Sequence, residues 1–426
     1  MTMLAKPYPS RKRWRKFLFC SVTLLLLSSC TVLPAISKDI VLGMSAAFSG
    51  PSQDLGCKLY GGAMAYIRYI NEQGGVAGNA LKLLALDDGY NPEPTIANTI
   101  QFVEQNNVFC LFNYVGTPTV TRMLPLLTKY QARPLFLLFP FTGANALYEQ
   151  LYRQRIFEFR TSYDAEIRAL IDMFIKKRCS RFAILYQTDA YGRSGWQSTV
   201  HALKEHGMTL VAQASYPRGK LFQGSFHSEV SLLKKHNPDV IICIAASQAA
   251  AGFIRDTRDL GLNVPIANIS FVDPDTIASL LGTLQPKKRT NYLQNLINSQ
   301  VVPFFSDPSL PAGREFMELN RLFQKQGMQT TMFKAFQTCY SPGPISFEGF
   351  LNAKILVELL KRMGASPRAQ DLPEAFAKLE GLDIGIGAPL HVDTNTNQIQ
   401  NQVHFITFAN GTIAPIDPTS FQGIIQ

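Results

Sequence analysis

From Lys38 onward the chain alternates short apolar runs with amphipathic stretches, and that rhythm predicts most of its elements. Ile40-Val41-Leu42-Gly43-Met44 reads as a strand. After a loop containing Ser49-Gly50-Pro51, the residues Ala63, Ile67 and Ile70 share one face of a helix from about Tyr60 to Glu72. Gly74-Gly75 ends that helix, as glycines do where the chain must turn left-handed. Residues 81–86 predict a second strand closing in Asp87-Asp88, and Asn91-Pro92 supplies a cap and a first-turn proline for the next helix. Residues 108–114 and 134–140 read as buried strands with a helix between them. The rhythm restarts around Arg155, with strands at 182–187, 210–215, 240–245 and 266–271. Helices are expected between them, near residues 165–177, 194–206, 225–236 and 248–260, and again at 314–326 and 347–363. At the end, apolar alternations flank Asn410-Gly411, a hairpin signal. Strands separated by one helix each mean βαβ units, so the pattern predicts an α/β fold of two doubly wound parallel-sheet lobes.

The start of the chain follows a different pattern. Lys6, Arg11, Lys12, Arg13, Arg15 and Lys16 form a positive segment with no acidic residue. Phe17 to Leu27 is an apolar run of 11 residues. A bilayer span needs roughly 20 apolar residues, whereas the core of a signal peptide is shorter. Leu27-Ser28-Ser29-Cys30 then resembles a bacterial lipobox, in which the cysteine thiol receives a diacylglycerol. The reading expects residues 1–29 to be a lipoprotein signal peptide, Cys30 to carry lipid and 30–37 to be a tether. That implies a periplasmic or extracytoplasmic protein anchored to a membrane.

Removing the leader changes the charge picture. Six of the 41 Lys and Arg lie within it, which leaves 35 against 31 acidic residues, a net charge of +4. The basic run Pro286-Lys287-Lys288-Arg289 is short and reads as a solvated loop, so no nucleic-acid partner is expected. About 400 mature residues suffice for more than one core. Cys57, Cys110, Cys179, Cys243 and Cys339 are odd in number and scattered, which is no disulfide framework, although one bridge stays open in an oxidising compartment. Cys110 and Cys243 lie in apolar strand-like runs and read as buried thiols.

Catalytic patterns are not found. There is no phosphate-cradling glycine loop of the G-x-x-x-x-G-K-[ST] type. Gly385-Ile386-Gly387 lacks the helix and third glycine of a dinucleotide site, and Gly192-Arg193-Ser194-Gly195 misses a nucleophile elbow by one residue. His201, His206, His227, His236, His391 and His404 form no metal-ligand spacing. No enzyme activity, cofactor or metal is expected.

An ordered set of motifs is more specific than any of these. Ser49-Gly50-Pro51, Gly61-Gly62-Ala63, Ile70-Asn71, Gly74-Gly75-Val76, Asp87-Asp88 and Asn91-Pro92 are followed by Tyr114-Val115-Gly116-Thr117-Pro118-Thr119, Pro140-Phe141-Thr142-Gly143-Ala144 and Asp189-Ala190-Tyr191-Gly192. Over nearly all of residues 38–410 the chain resembles the leucine/isoleucine/valine-binding family of type I periplasmic binding proteins. The resemblance implies two lobes joined by a three-strand hinge, with crossings near Tyr163, Pro303 and Leu390. The first lobe would comprise residues 38–162 and 304–390, and the second 163–303 and 391–426. It implies capture of a small polar solute by hinge closure and delivery to an ABC permease in the inner membrane, by a protein acting as a monomer. A lipid-anchored sensor of the same fold, signalling to a membrane partner, is the alternative.

At the site, Gly116 and Thr117 lie after a strand and before a helix, where backbone N–H groups and a hydroxyl suit a carboxylate or amide oxygen. The resemblance adds Phe141, Thr142 and Gly143 as the second first-lobe loop and Tyr191 as the tyrosine closing from the second lobe. Amino-acid binders of the family hold the α-ammonium on an acid after a second-lobe strand, and here Ser270 stands in that place. Asp273 and Asp189 lie nearby as substitutes. Ala246-Ser247 and Leu55 stand where some relatives carry aromatics. Burying an ammonium without a carboxylate costs several kcal/mol. Amides, urea-like solutes and small carboxylates therefore stand beside branched-chain amino acids as expected ligands.

Overall fold

The computed structural model describes residues 39–130, 134–284, 290–325, 339–399, 402–409 and 411–416, together with Thr2. Cys30 and the expected leader and tether lie outside the described residues. No helix among those described is long and apolar enough to cross a membrane.

Residues Asp39–Gln426 form one compact unit. Its first sheet contains β1 (Ile40–Ala46), β2 (Leu81–Asp87), β3 (Cys110–Phe112), β4 (Leu137–Leu138) and β5 (Ile156–Phe157), in the order β2-β1-β3-β4-β5. All four pairings are parallel. Between the strands run α1 (Gln53–Glu72), α2 (Pro92–Glu104) and α3 (Thr117–Lys129). The second sheet is built from β6 (Phe182–Gln187), β7 (Ala212–Tyr216), β8 (Val240–Ile244), β9 (Ile266–Asn268) and β10 (Leu296–Gln300), with α4 (Tyr163–Lys176), α5 (Ala190–Glu205), α6 (His227–Lys234), α7 (Ser247–Asp259) and α8 (Pro274–Gly282). These five strands are parallel to one another. The hairpin β11 (His404–Ala409) and β12 (Thr412–Ile416) adds to this sheet antiparallel, through β10.

The remaining helices, α9 (Pro311–Lys325), α10 (Pro344–Met363) and α11 (Leu372–Ala377), cover the first sheet, and α10 packs closely along α1. Gly62 and Gly349 make that approach possible, because a Cβ on either would lie 1.7 Å from the Ser346 carbonyl oxygen or 2.1 Å from that of Leu59. Leu390, Val392 and Ile399 are still buried with the apolar cluster of this lobe. The chain reaches the second sheet only at His404.

One helix departs informatively from its pattern. α1 begins at Gln53, seven residues before the apolar stripe predicts. Asp54 and Lys58, one turn apart, lie on the face opposite Ala63 and Ile67, yet both are buried. Their partners come from the other lobe. Cys57, between them, is disulfide-bonded to Cys339, while Cys110, Cys179 and Cys243 are free and buried.

Candidate functional site

The loops beyond the carboxyl ends of the strands of both sheets face each other, the place where parallel α/β sheets bind ligands. From the first lobe come the start of α1 after β1, the loop after β2 with Tyr90, the head of α3 after β3, and residues 141–143 after β4. The second lobe contributes the heads of α5, α7 and α8 after β6, β8 and β9. In this structure the two sets are in contact.

The first-lobe loops brace one another. Gly116 precedes α3 with φ 104, and its N–H donates to the Phe141 carbonyl at 3.2 Å. A Cβ there would come within 2.4 Å of the Tyr90 ring, so both the backbone angle and the space require glycine. The Thr117 and Thr142 hydroxyls pair at 2.7 Å, and the Tyr163 hydroxyl lies 3.4 Å from Thr117. The Gly143 carbonyl accepts from the Tyr163 N–H at 2.8 Å.

Phe271, which the sequence reading passed over, is the centre of an aromatic group spanning both lobes. Its ring centroid lies 4.4 Å from Tyr191, 5.6 Å from Phe141 and 6.0 Å from Tyr90. Tyr163 meets Tyr191 edge-on at 5.6 Å. Tyr191, Phe141 and Phe271 are all fully buried. Tyr191 donates its hydroxyl to the Ala245 carbonyl. Tyr90 holds φ 62, fixed by its N–H on Asp88 Oδ1 at 2.9 Å, and its buried hydroxyl has no partner.

Beside the aromatics runs a polar seam. Lys58 Nζ lies 2.5 Å from Asp273 Oδ2 and 3.6 Å from Asp275 Oδ2. Ser247 donates to Asp54 at 2.6 Å and accepts from the Asp273 N–H at 3.1 Å. Asp273 also caps α8 through the Thr276 N–H. Burial first, and the Asp273 charge second, hold the Asp54 and Asp275 carboxyls up at about 6. Burial works against the Lys58 charge, but Asp273, Asp275 and Asp54 outweigh it and keep its ammonium protonated.

Ser270, standing where relatives place an acid, is itself held by one. Its N–H and hydroxyl both donate to Glu166, at 2.9 and 2.8 Å, and Ser299 donates to the same carboxylate at 2.6 Å. Arg160 donates to the Ser270 hydroxyl at 2.6 Å and lies 3.1 Å from Glu348 and 4.2 Å from the Phe141 ring centre. Burial pushes Glu348 up to about 7 and Glu158 well above the ordinary range. Asp189 is half-buried and caps α5, accepting from Gly192 N–H and the Gln187 amide.

The structure thus gathers Gly116, Thr117, Phe141, Thr142, Gly143 and Tyr191 around the aromatic group, Ser247 and Asp273 in the seam, and Ser270 between Arg160 and Glu166. The sequence reading missed Asp54, Lys58, Tyr90, Arg160, Glu166 and Phe271. For Asp54 and Lys58 a signal existed: two charged residues one turn apart, on a face that continues as Gly62, Ala65 and Tyr66.

The comparisons agree with this architecture. The profile of the periplasmic binding protein family matches residues 39–412. The Leu/Ile/Val-binding protein of Escherichia coli K12 is 23% identical over 259 residues, covering 60% of this chain and 67% of that protein. A possible leucine/isoleucine/valine-binding protein from Rhodopirellula baltica superposes with a TM-score of 0.80 at 24% identity, covering 92% of this chain and 100% of that one. A branched-chain amino acid ABC transporter protein from Thermus thermophilus, solved with bound valine, has a TM-score of 0.75 at 16% identity, covering 89% and 96%. These relatives are named for solutes and not for a reaction. The chain belongs to the type I periplasmic binding proteins, in the leucine/isoleucine/valine-binding family.

Proposed function

We propose that this protein is the extracytoplasmic binding component of an ABC importer, capturing a small polar solute between its lobes and presenting it to a membrane permease. The solute class is a branched-chain amino acid, an amide or a related compound. Cys30 carries the lipid that keeps the protein at the membrane.

One observation carries the reading. Loops from the carboxyl ends of both sheets meet over a buried seam in which aromatics (Phe141, Tyr191, Phe271) adjoin ion pairs and hydroxyls. Phe141 and Lys58 come from one lobe and Tyr191, Phe271 and Asp273 from the other, so a solute lodged there would touch both. A solute that contacts both lobes stabilises the closed state by its differential affinity for it.

Thermal melting of the chain with Cys30→Ser, against amino acids, amides, urea and small carboxylates, tests the proposal. A solute at about 100 times its dissociation constant adds roughly 2.7 kcal/mol. A melt that rises with one solute class, together with a smaller radius of gyration in X-ray scattering, supports capture by closure. No response to any solute, from protein refolded to remove carried ligand, rejects it.

A further inference from the structure

The seam is unbalanced in charge. Asp54, Asp273 and Asp275 surround one ammonium, that of Lys58, and the side chains of Lys58 and Asp273 are 3% and 0% exposed. Buried carboxylates are stable when each finds a cation or several donors. Here the Oδ1 of Asp273 is buried without a hydrogen-bond partner among the described residues, while Asp275 Oδ2 meets the Lys58 ammonium at 3.6 Å, beyond hydrogen-bond reach. Asp54 is served by the Ser247 hydroxyl. The neighbouring group repeats the excess, with Glu158, Glu166 and Glu348 around Arg160, and both oxygens of Glu158 unpartnered. Across the two groups six carboxyls face two cations. Among the described residues no cluster suits a metal ion.

We propose that the solute carries a net positive charge and that its ammonium docks on the free Oδ1 of Asp273, beside Lys58 and Asp275. This rests on the solute-clamp reading above and narrows it to cationic amines. It also relocates the charge partner: the acid lost at Ser270 is replaced from the next turn of chain, where α8 begins. An ammonium there supplies the missing donor and reduces repulsion among the three aspartates. It would also bridge the lobes through Lys58's own partners, which ties recognition to closure.

The test uses solutes matched in body and different in charge: isoamylamine, leucine and isocaproate, and likewise phenethylamine, phenylalanine and hydrocinnamate. Dissociation constants are measured by calorimetry on the purified protein after refolding. The amine of at least one trio should bind about tenfold or more tighter than its carboxylate, the scale of a charge-assisted hydrogen bond. Asp275→Asn should lower amine affinity by a similar factor and leave carboxylate affinity unchanged. A carboxylate that binds as tightly as its amine, or an uncharged amide as the only binder, overturns the inference while leaving the clamp intact. Binding by none of these or any other solute would instead reject the clamp itself. The charge order in the wild-type protein decides the matter even if the variant does not fold.

Discussion

Lys58, on the first-lobe helix α1, and Asp273, at the head of α8 in the second lobe, form a buried ion pair at 2.5 Å across the seam between the lobes. Neither lobe holds both partners, so the pair joins the two lobes in this structure. On the proposed hinge opening both charges would return to water, so the pair would favour the closed form.

Lys58→Met should therefore shift the protein toward the open form. Removing one partner of a buried pair costs about 3–5 kcal/mol while the other stays buried, and here Asp273 escapes that cost by opening. X-ray scattering should show a larger radius of gyration, and the melt should fall. Scattering and melting identical to wild type would contradict a closing role for the pair.

Acidification should stabilise the folded, closed protein. Asp54, Asp88 and Asp275 sit at about 6 and Glu348 at about 7, all above their unfolded values, chiefly because burial disfavours the charge. Between the unfolded and folded values the native state binds more protons, so stability falls as pH rises through that window. The melting temperature should climb from about pH 7.5 to about pH 5. A melting temperature that stays flat or falls on acidification would show that these carboxyls are not held protonated by the folded protein.

Thr117→Val removes the hydroxyl that pairs with Thr142 while keeping the shape of the side chain. Solute affinity should drop by about five- to tenfold, the value of one hydrogen bond, with the melt little changed. At Tyr191 the informative change is Tyr191→Phe, because alanine at a fully buried aromatic opens a cavity costing about 3–5 kcal/mol. Unchanged affinity in both variants would remove these residues from the site.

The Cys57–Cys339 bridge spans 282 residues of sequence and fixes the start of α10's approach loop to α1 beside Lys58. Replacing both cysteines by serine should lower stability by about 2–5 kcal/mol. Denaturant unfolding of oxidised and double-serine protein measures this directly, and equal midpoints would dismiss the bridge as a stabilising element.

Cys30→Ser should release the protein from membranes into the soluble extracytoplasmic fraction. Attachment that survives the change would rule out lipidation at that residue.

Much of the fold was legible because its signals are local. β6 matches its apolar run residue for residue, and α2 starts at the Asn91 cap and Pro92 that announce it. Loop motifs put Thr117, Phe141 and Tyr191 at strand ends, where the structure has them, with Thr117 and Tyr191 in the first turn of a helix. Strand β4 is far shorter than the apolar run around it, since only two of its residues find ladder partners. Apolar character reports burial there, and pairing depends on neighbours.

What the sequence determined by itself is the alternation of strand and helix, hence two parallel-sheet lobes, and the first-lobe loops that face the cleft. Periodicity along one element encodes which side is buried, and that information needs no partner. Which charges meet was decided only by tertiary structure. Lys58 and Asp273 are 215 residues apart, and Glu166 reaches Ser270 from 104 residues away. A buried charge is tolerable only beside its counter-charge, and that neighbour exists only once the two lobes are placed against each other.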